Sequence, residues 1–104
     1  MSISSSELGS SAVPDLGQLI RNGAFLVDVR TPAEFSEGHV KGSVNIPLDT
    51  IPSNLEKFQG KGDIIVFCRS GNRSGQAKLI LEANGIFRVV NGGTWQYVNE
   101  FVHS

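Results

Sequence analysis

The sequence predicts an α/β fold with a central, mostly parallel sheet and helices on both faces. Short apolar runs of strand length alternate with segments whose apolar residues recur at helical spacing. The run Ile64–Phe67 is apolar at successive positions, and Phe25–Val29, interrupted only by Asp28, is apolar on both faces, as in strands covered on both sides. Glycine, asparagine and proline punctuate the boundaries: Asn22-Gly23, Pro47, Gly60-Lys61-Gly62 and Asn84-Gly85.

Residues 1–13 are serine-rich and read as a flexible lead-in, with at most a turn of helix around Ser6 to Gly9. The folded domain is placed at 14–104. Pro14-Asp15 opens a helix whose Leu16, Leu19 and Ile20 share one face, and Asn22-Gly23 ends it. Phe25–Val29 is the first strand. Asp28 reads as a structural carboxylate that holds a turn, and Arg30 as half of a structural ion pair, with Glu34 as the candidate partner. Thr31-Pro32 reads as N-cap and first residue of a short helix that stops at Gly38. His39 reads as a hydrogen-bonded structural residue before a short strand, Ser43 to Ile46. Asp49 or Thr50 is expected to cap a helix carrying Ile51, Leu55 and Phe58 on one face, with Pro52 in its first turn.

Ile64 to Phe67 is the central strand. A helix is expected from Gln76 to Asn84, with Ala77, Ile80 and Leu81 as its buried face. Phe87 to Val90 is the last strand, and Asn91-Gly92-Gly93 is expected to bend the chain into a final helix. There Trp95, Val98 and Phe101 recur at threefold spacing, with Trp95 read as core packing. His103 carries no signal.

The chemistry concentrates between the central strand and the helix after it. Cys68, the only cysteine, follows the strand at once, and Arg69-Ser70-Gly71-Asn72-Arg73-Ser74 come next. Open α/β sheets place their chemistry at the carboxyl ends of strands. Successive N–H groups of a tight loop form an anion-binding nest, and a helix start adds unpaired donors. A free thiol titrates near ~8.5, and such surroundings lower that by ~1–5 units. The helix dipole supplies roughly 0.3–1 kcal/mol, under one pKa unit, so loop amides and arginines must supply most of the shift. A thiol at the end of the apolar run is expected to reach solvent; a buried structural cysteine would sit inside the run.

Composition narrows the classes further. A chain of 104 residues with 39% apolar residues is one domain. Its net charge of −1, with no lysine-rich run, does not suggest nucleic acid as a partner. One cysteine rules out an internal disulfide framework, a cysteine-rich metal site and an internal resolving thiol. No stretch approaches the ~20 apolar residues of a membrane helix, and the polar start lacks a signal peptide's pattern, so a cytoplasmic monomer without metal or cofactor is expected.

The loop Cys68-Arg69-Ser70-Gly71-Asn72-Arg73-Ser74 resembles the active-site loop of rhodanese-type sulfurtransferases. So do Leu26-Val27-Asp28-Val29-Arg30, Glu34, Gly38-His39-Val40, Gly42 and Asn45-Ile46-Pro47, and also Val90-Asn91-Gly92-Gly93 followed by Trp95. The resemblance runs from about Asp15 to Phe101. It implies the rhodanese-like three-layer fold and a single-domain sulfurtransferase that moves a sulfane sulfur from thiosulfate or a related donor to cyanide or a thiol acceptor. Cys68 is then the nucleophile carrying a persulfide. Arg69, Ser70, Gly71, Asn72, Arg73 and Ser74 bind donor and outer sulfur. Arg69 is expected to face solvent and meet the donor, Arg73 to be held by Asp28 or Glu34, and Gly71 to adopt a backbone angle other residues avoid. Two alternatives stand beside this: a sulfur-carrier or adaptor domain working with a protein partner, and a rhodanese-fold phosphatase. The spacing from Cys68 to Arg73 is C-x4-R, one residue shorter than the C-x5-R phosphatase loop. A smaller amide ring suits one added sulfur better than a tetrahedral phosphate. No aspartate stands beside the loop as a leaving-group acid.

Overall fold

The computed structural model describes residues 15–102, and the readings for residues 1–14 and His103 fall outside them. The elements follow the expected alternation. Helix α1 (Leu16–Arg21) leads into strand β1 (Phe25–Asp28), then helix α2 (Pro32–Glu37) and strand β2 (Val44–Asn45). Two 3-10 turns (Leu48–Ser53 and Leu55–Phe58) precede strand β3 (Ile64–Cys68), helix α3 (Asn72–Ala83), strand β4 (Val89–Thr94) and helix α4 (Trp95–Val102). The four strands form one sheet in the order β2-β1-β3-β4, every pair parallel. All strands therefore deliver their carboxyl ends to the same edge.

β3 separates two cores. Alternation along the strand sends Ile64, Val66 and Cys68 into one cluster, with Val27, Val29, Ile51, Phe58, Ala77 and Leu81. Ile65 and Phe67 go into the other, with Leu16, Leu26, Val40 and Val98. Helix α3 and the 3-10 turns thus cover one face, α1 and α4 the opposite one. These are the expected three layers, and the alternation places the cysteine on the α3 face.

Four boundaries differ from expectation. The segment around Ile51 and Phe58 is two 3-10 turns and not one α-helix, because Pro52 lacks an N–H and Asn54, at φ −126, breaks the run. Both aromatic and aliphatic anchors are nevertheless buried. β1 and β2 are shorter than the expected spans Phe25–Val29 and Ser43–Ile46. α3 begins at Asn72, four residues before the expected start, inside the loop itself. Finally, Asn91-Gly92-Gly93 is not a bend: β4 runs through it to Thr94, while Phe87 lies outside the strand with 72% of its surface exposed.

That last difference has a packing cause. Val66 pairs with Asn91 and Phe67 with Gly93, so Gly92 is an extra residue, a bulge. A Cβ on Gly92 would lie 2.8 Å from Val98 Cγ2 and 2.9 Å from Ile65 Cγ2. Glycine is required there because α4 and β3 approach the strand too closely for any side chain.

Candidate functional site

The site grows out of β3. Cys68 is the last strand residue, paired with Thr94, and the chain then turns within Arg69, Ser70 and Gly71. Gly71 sits at φ +94, ψ −9, the left-handed region open to glycine. This turn brings the start of α3 back over the strand end. Gly71 is the N-cap of α3 and has no side chain to satisfy the orphan N–H groups. The cysteine sulfur takes that place. Sγ accepts from the Gly71 N–H at 3.0 Å and from the Ser74 N–H at 3.4 Å, with Ser74 Oγ also at 3.4 Å.

Burial alone pushes the thiol up. The Ser74 hydroxyl and the N–H groups of Ser74, Ser70 and Gly71 outweigh it, so the thiol is held below its ordinary range. The balance comes from loop donors, as the sequence argument requires. Exposure differs from expectation: Cys68 is 0% exposed. Strand alternation aims it at the α3 core, and the first turn of α3 closes over it. The sulfur is thus both cradled by amides and shut away from solvent in this conformation.

The two arginines separate clearly. Arg73 donates to Glu34 through both terminal nitrogens, Nη1 to Oε1 at 2.7 Å and Nη2 to Oε2 at 3.0 Å. Glu34 also caps α2, accepting from the Thr31 N–H at 3.0 Å while Thr31 Oγ1 accepts from the Glu34 N–H. The Arg73 guanidinium, helped by the Thr31 N–H, lowers Glu34 from about 4.5 to about 2, and Glu34 raises Arg73 in return. Of the two partners expected for Arg73, Glu34 is the one present. Arg69 is exposed and, among the described residues, makes no ion pair. It lines a cleft of about 290 Å3 together with Arg30, Glu37, Gly38 and Trp95.

Because Glu34 is depressed in the folded chain, its contribution is present above about 4.5 and is lost as pH falls towards about 2. Glu34→Gln keeps the capping acceptor and loses the charge. The side chains of the pair are 32% and 26% exposed, so the expected cost is about 0.5–1 kcal/mol near neutral pH. Urea midpoints of parent and variant should converge as pH is lowered through that window; a gap that stays constant would place the effect elsewhere.

Asp28 and Arg30 form a buried pair of their own, at 0% and 4% exposure. Arg30 Nε donates to both carboxylate oxygens at 2.9 and 3.0 Å, and Nη2 donates to Oδ2 at 2.7 Å and to the Gly38 carbonyl at 2.6 Å. The Arg30 partner is therefore Asp28, not Glu34; Glu34 is already taken by Arg73. Arg30 also lies 4.8 Å above the Trp95 ring, so Trp95 walls the cleft besides packing on the core. His39 is hydrogen-bonded to the Phe35 carbonyl at 2.9 Å and stacked on Phe35, a structural arrangement.

Of the residues read from sequence, Cys68, Ser70, Gly71 and Ser74 meet around the sulfur. Asn72 does not. It is exposed, and its Oδ1 accepts from Gln76 one turn along α3. Sequence reading named Asn91 only within the Val90–Gly93 motif and gave it no role at the site; it accepts from the Ser74 hydroxyl at 2.7 Å and from the Gly93 N–H at 2.9 Å, and donates to the Gly71 carbonyl at 3.1 Å. Its signal was a polar residue ending an apolar run on the strand next to β3. Among the described residues no cluster of His, Cys, Asp and Glu could hold a metal, and no helix is long and apolar enough to cross a membrane.

Comparison with known proteins agrees with this geometry. Residues 12–100 match the model of the rhodanese-like domain family. A sulfurtransferase of Allochromatium vinosum is 39% identical over 67 residues, covering 64% of this chain and 63% of the relative. The thiosulfate sulfurtransferase PspE of Escherichia coli is 39% identical over 69 residues, covering 64% of this chain and 66% of the relative. In both cases the match spans slightly less than two thirds of the relative. The structure of the human single-domain sulfurtransferase TSTD1 superposes with a TM-score of 0.68 at 26% identity, covering 92% of each chain.

Proposed function

This chain belongs to the rhodanese-like domain family, and from that premise we propose that it is a sulfurtransferase working through a persulfide on Cys68. The observation that carries the reading is the set of N–H donors converging on Sγ at the start of α3. Such a cradle stabilises a thiolate and, equally, the anionic outer sulfur of a persulfide. The sulfurtransferase relatives support it.

In the first step the Cys68 thiolate attacks the outer sulfur of thiosulfate. The S–S bond of the donor breaks, and sulfite leaves with the bonding pair. In the second step an acceptor thiolate, or cyanide, attacks the outer sulfur of the persulfide and Sγ departs as thiolate. No redox partner is needed, and the two displacements predict ping-pong kinetics. Arg69, exposed and lining the cleft, holds the sulfonate oxygens; Arg73, clasped to Glu34, braces the loop. Since Cys68 is closed in the resting conformation, attack requires the exposed side of the loop, Arg69 and Ser70, to swing away from the sulfur. A protein acceptor fits the same chemistry.

Incubation with thiosulfate followed by intact-mass measurement tests the proposal. The expected result is a gain of one sulfur atom, lost again on adding cyanide or a thiol. A gain only from a persulfidated protein would favour the carrier reading. A chain that takes no sulfur from either source overturns both.

A further inference from the structure

The Ser74 hydroxyl has one proton and two claimants. Asn91 is oriented without ambiguity, because the Gly93 N–H can only donate to Oδ1 and the Gly71 carbonyl can only accept from Nδ2. Oδ1 carries no hydrogen, so at 2.7 Å the Ser74 hydroxyl must be the donor to Asn91. With its proton committed there, Ser74 Oγ faces Sγ at 3.4 Å as an acceptor, and the contact describes a protonated thiol. A thiolate cannot donate. Once Cys68 ionises, two acceptors would face each other inside a buried site, since both Cys68 and Ser74 are 0% exposed.

We infer that the Ser74 hydroxyl is a two-position donor governed by Asn91, turning from Oδ1 to Sγ when Cys68 ionises. The thiol proton leaves to a water or buffer base, the hydroxyl rotates, and Oδ1 keeps the Gly93 N–H. Asn91 is thus a positioning residue: it fixes the resting hydroxyl and sets what the thiolate must outcompete. This rests on Cys68 being the nucleophile of the proposed reaction, but it concerns ionisation and not sulfur transfer. Arg69 and Arg73 flank the loop, with Glu34 on α2 and the Asp28–Arg30 pair at the end of β1; none of them hydrogen-bonds Sγ. β4 brings uncharged Asn91 and Thr94.

The test is a pH titration of the thiolate by its ultraviolet absorbance, unambiguous in a chain with one cysteine. Ser74→Ala should raise the midpoint by about one pH unit, a tenfold change in ionisation. Ser74→Thr should restore it. In the Asn91→Ala background the hydroxyl gives up no bond to reach the sulfur, so Ser74→Ala should raise the midpoint further than in the parent. A Ser74→Ala shift that is equal or smaller without Asn91 overturns the inference, since Asn91 would then be a brace for the loop. No Ser74→Ala shift in the parent overturns it too, and that variant stands even where Asn91→Ala fails to fold. A chain that titrates as described but never takes sulfur leaves this device intact and defeats the sulfurtransferase reading; the reverse pattern defeats the device alone.

Discussion

Cys68→Ser takes up no sulfur from thiosulfate and loses more than about 10³-fold in donor turnover, while its urea midpoint stays close to the parent's. The substitution leaves the frame of the loop in place. Serine offers an oxygen where sulfur was, so the Gly71 and Ser74 N–H groups keep an acceptor and α3 keeps its cap. The clasp of Arg73 to Glu34 does not involve the sulfur. What disappears is an ionisable nucleophile near neutral pH. The same donors that hold the thiol below its usual range cannot bring an alcohol into it. In the parent, the loading rate should climb with pH as the depressed thiol ionises and reach its plateau at a lower pH than an ordinary thiol would, because the thiolate is the reacting form. Intact mass and initial rates against pH check both halves. Undiminished loading in Cys68→Ser would place the chemistry outside this loop.

The chain order of elements was legible because its signals are local. The unbroken apolar run Ile64–Phe67 and the threefold spacing in Trp95–Val102 reflect which faces are buried, and the two cores confirm both. The misreadings share a cause: long-range packing overrode local propensity. Asn72, Ser74 and Gly75 are indifferent helix formers, yet α3 starts there because Cys68 supplies the cap that the sequence does not advertise. Asn91-Gly92-Gly93 spells a turn, yet it is a bulged strand whose glycine makes room for Val98 and Ile65. In the site, the loop was readable as a contiguous motif. Its closed sulfur follows from strand alternation, which puts residue 68 on the inward side with Val66. Asn91 stayed hidden because it reaches the loop across 17 positions, from Ser74, by tertiary pairing alone.

Arg30→Ala should be among the most destabilising single changes in this chain, because of the carboxylate it strands. Asp28 is fully buried, and Arg30 supplies three side-chain contacts to its oxygens besides the Arg30 N–H at 3.0 Å. Removing one partner of a buried pair costs about 3–5 kcal/mol, because the remaining charge keeps its desolvation penalty without its counterion. Domains of this size have roughly 5–15 kcal/mol in total, so the melting temperature should fall by roughly 15–30 °C. A second loss compounds it: the Gly38 carbonyl loses its donor, and Trp95 loses the cation above its ring. Charge is separable from packing by a double variant. Arg30→Met with Asp28→Asn removes both charges and keeps most of the volume, so it should recover a large part of the loss. Thermal melts of the single and double variants decide the matter. An Arg30→Ala chain within about 1 kcal/mol of the parent would mean that solvent from the adjoining cleft reaches Asp28 and that the pair is no anchor for the end of β1.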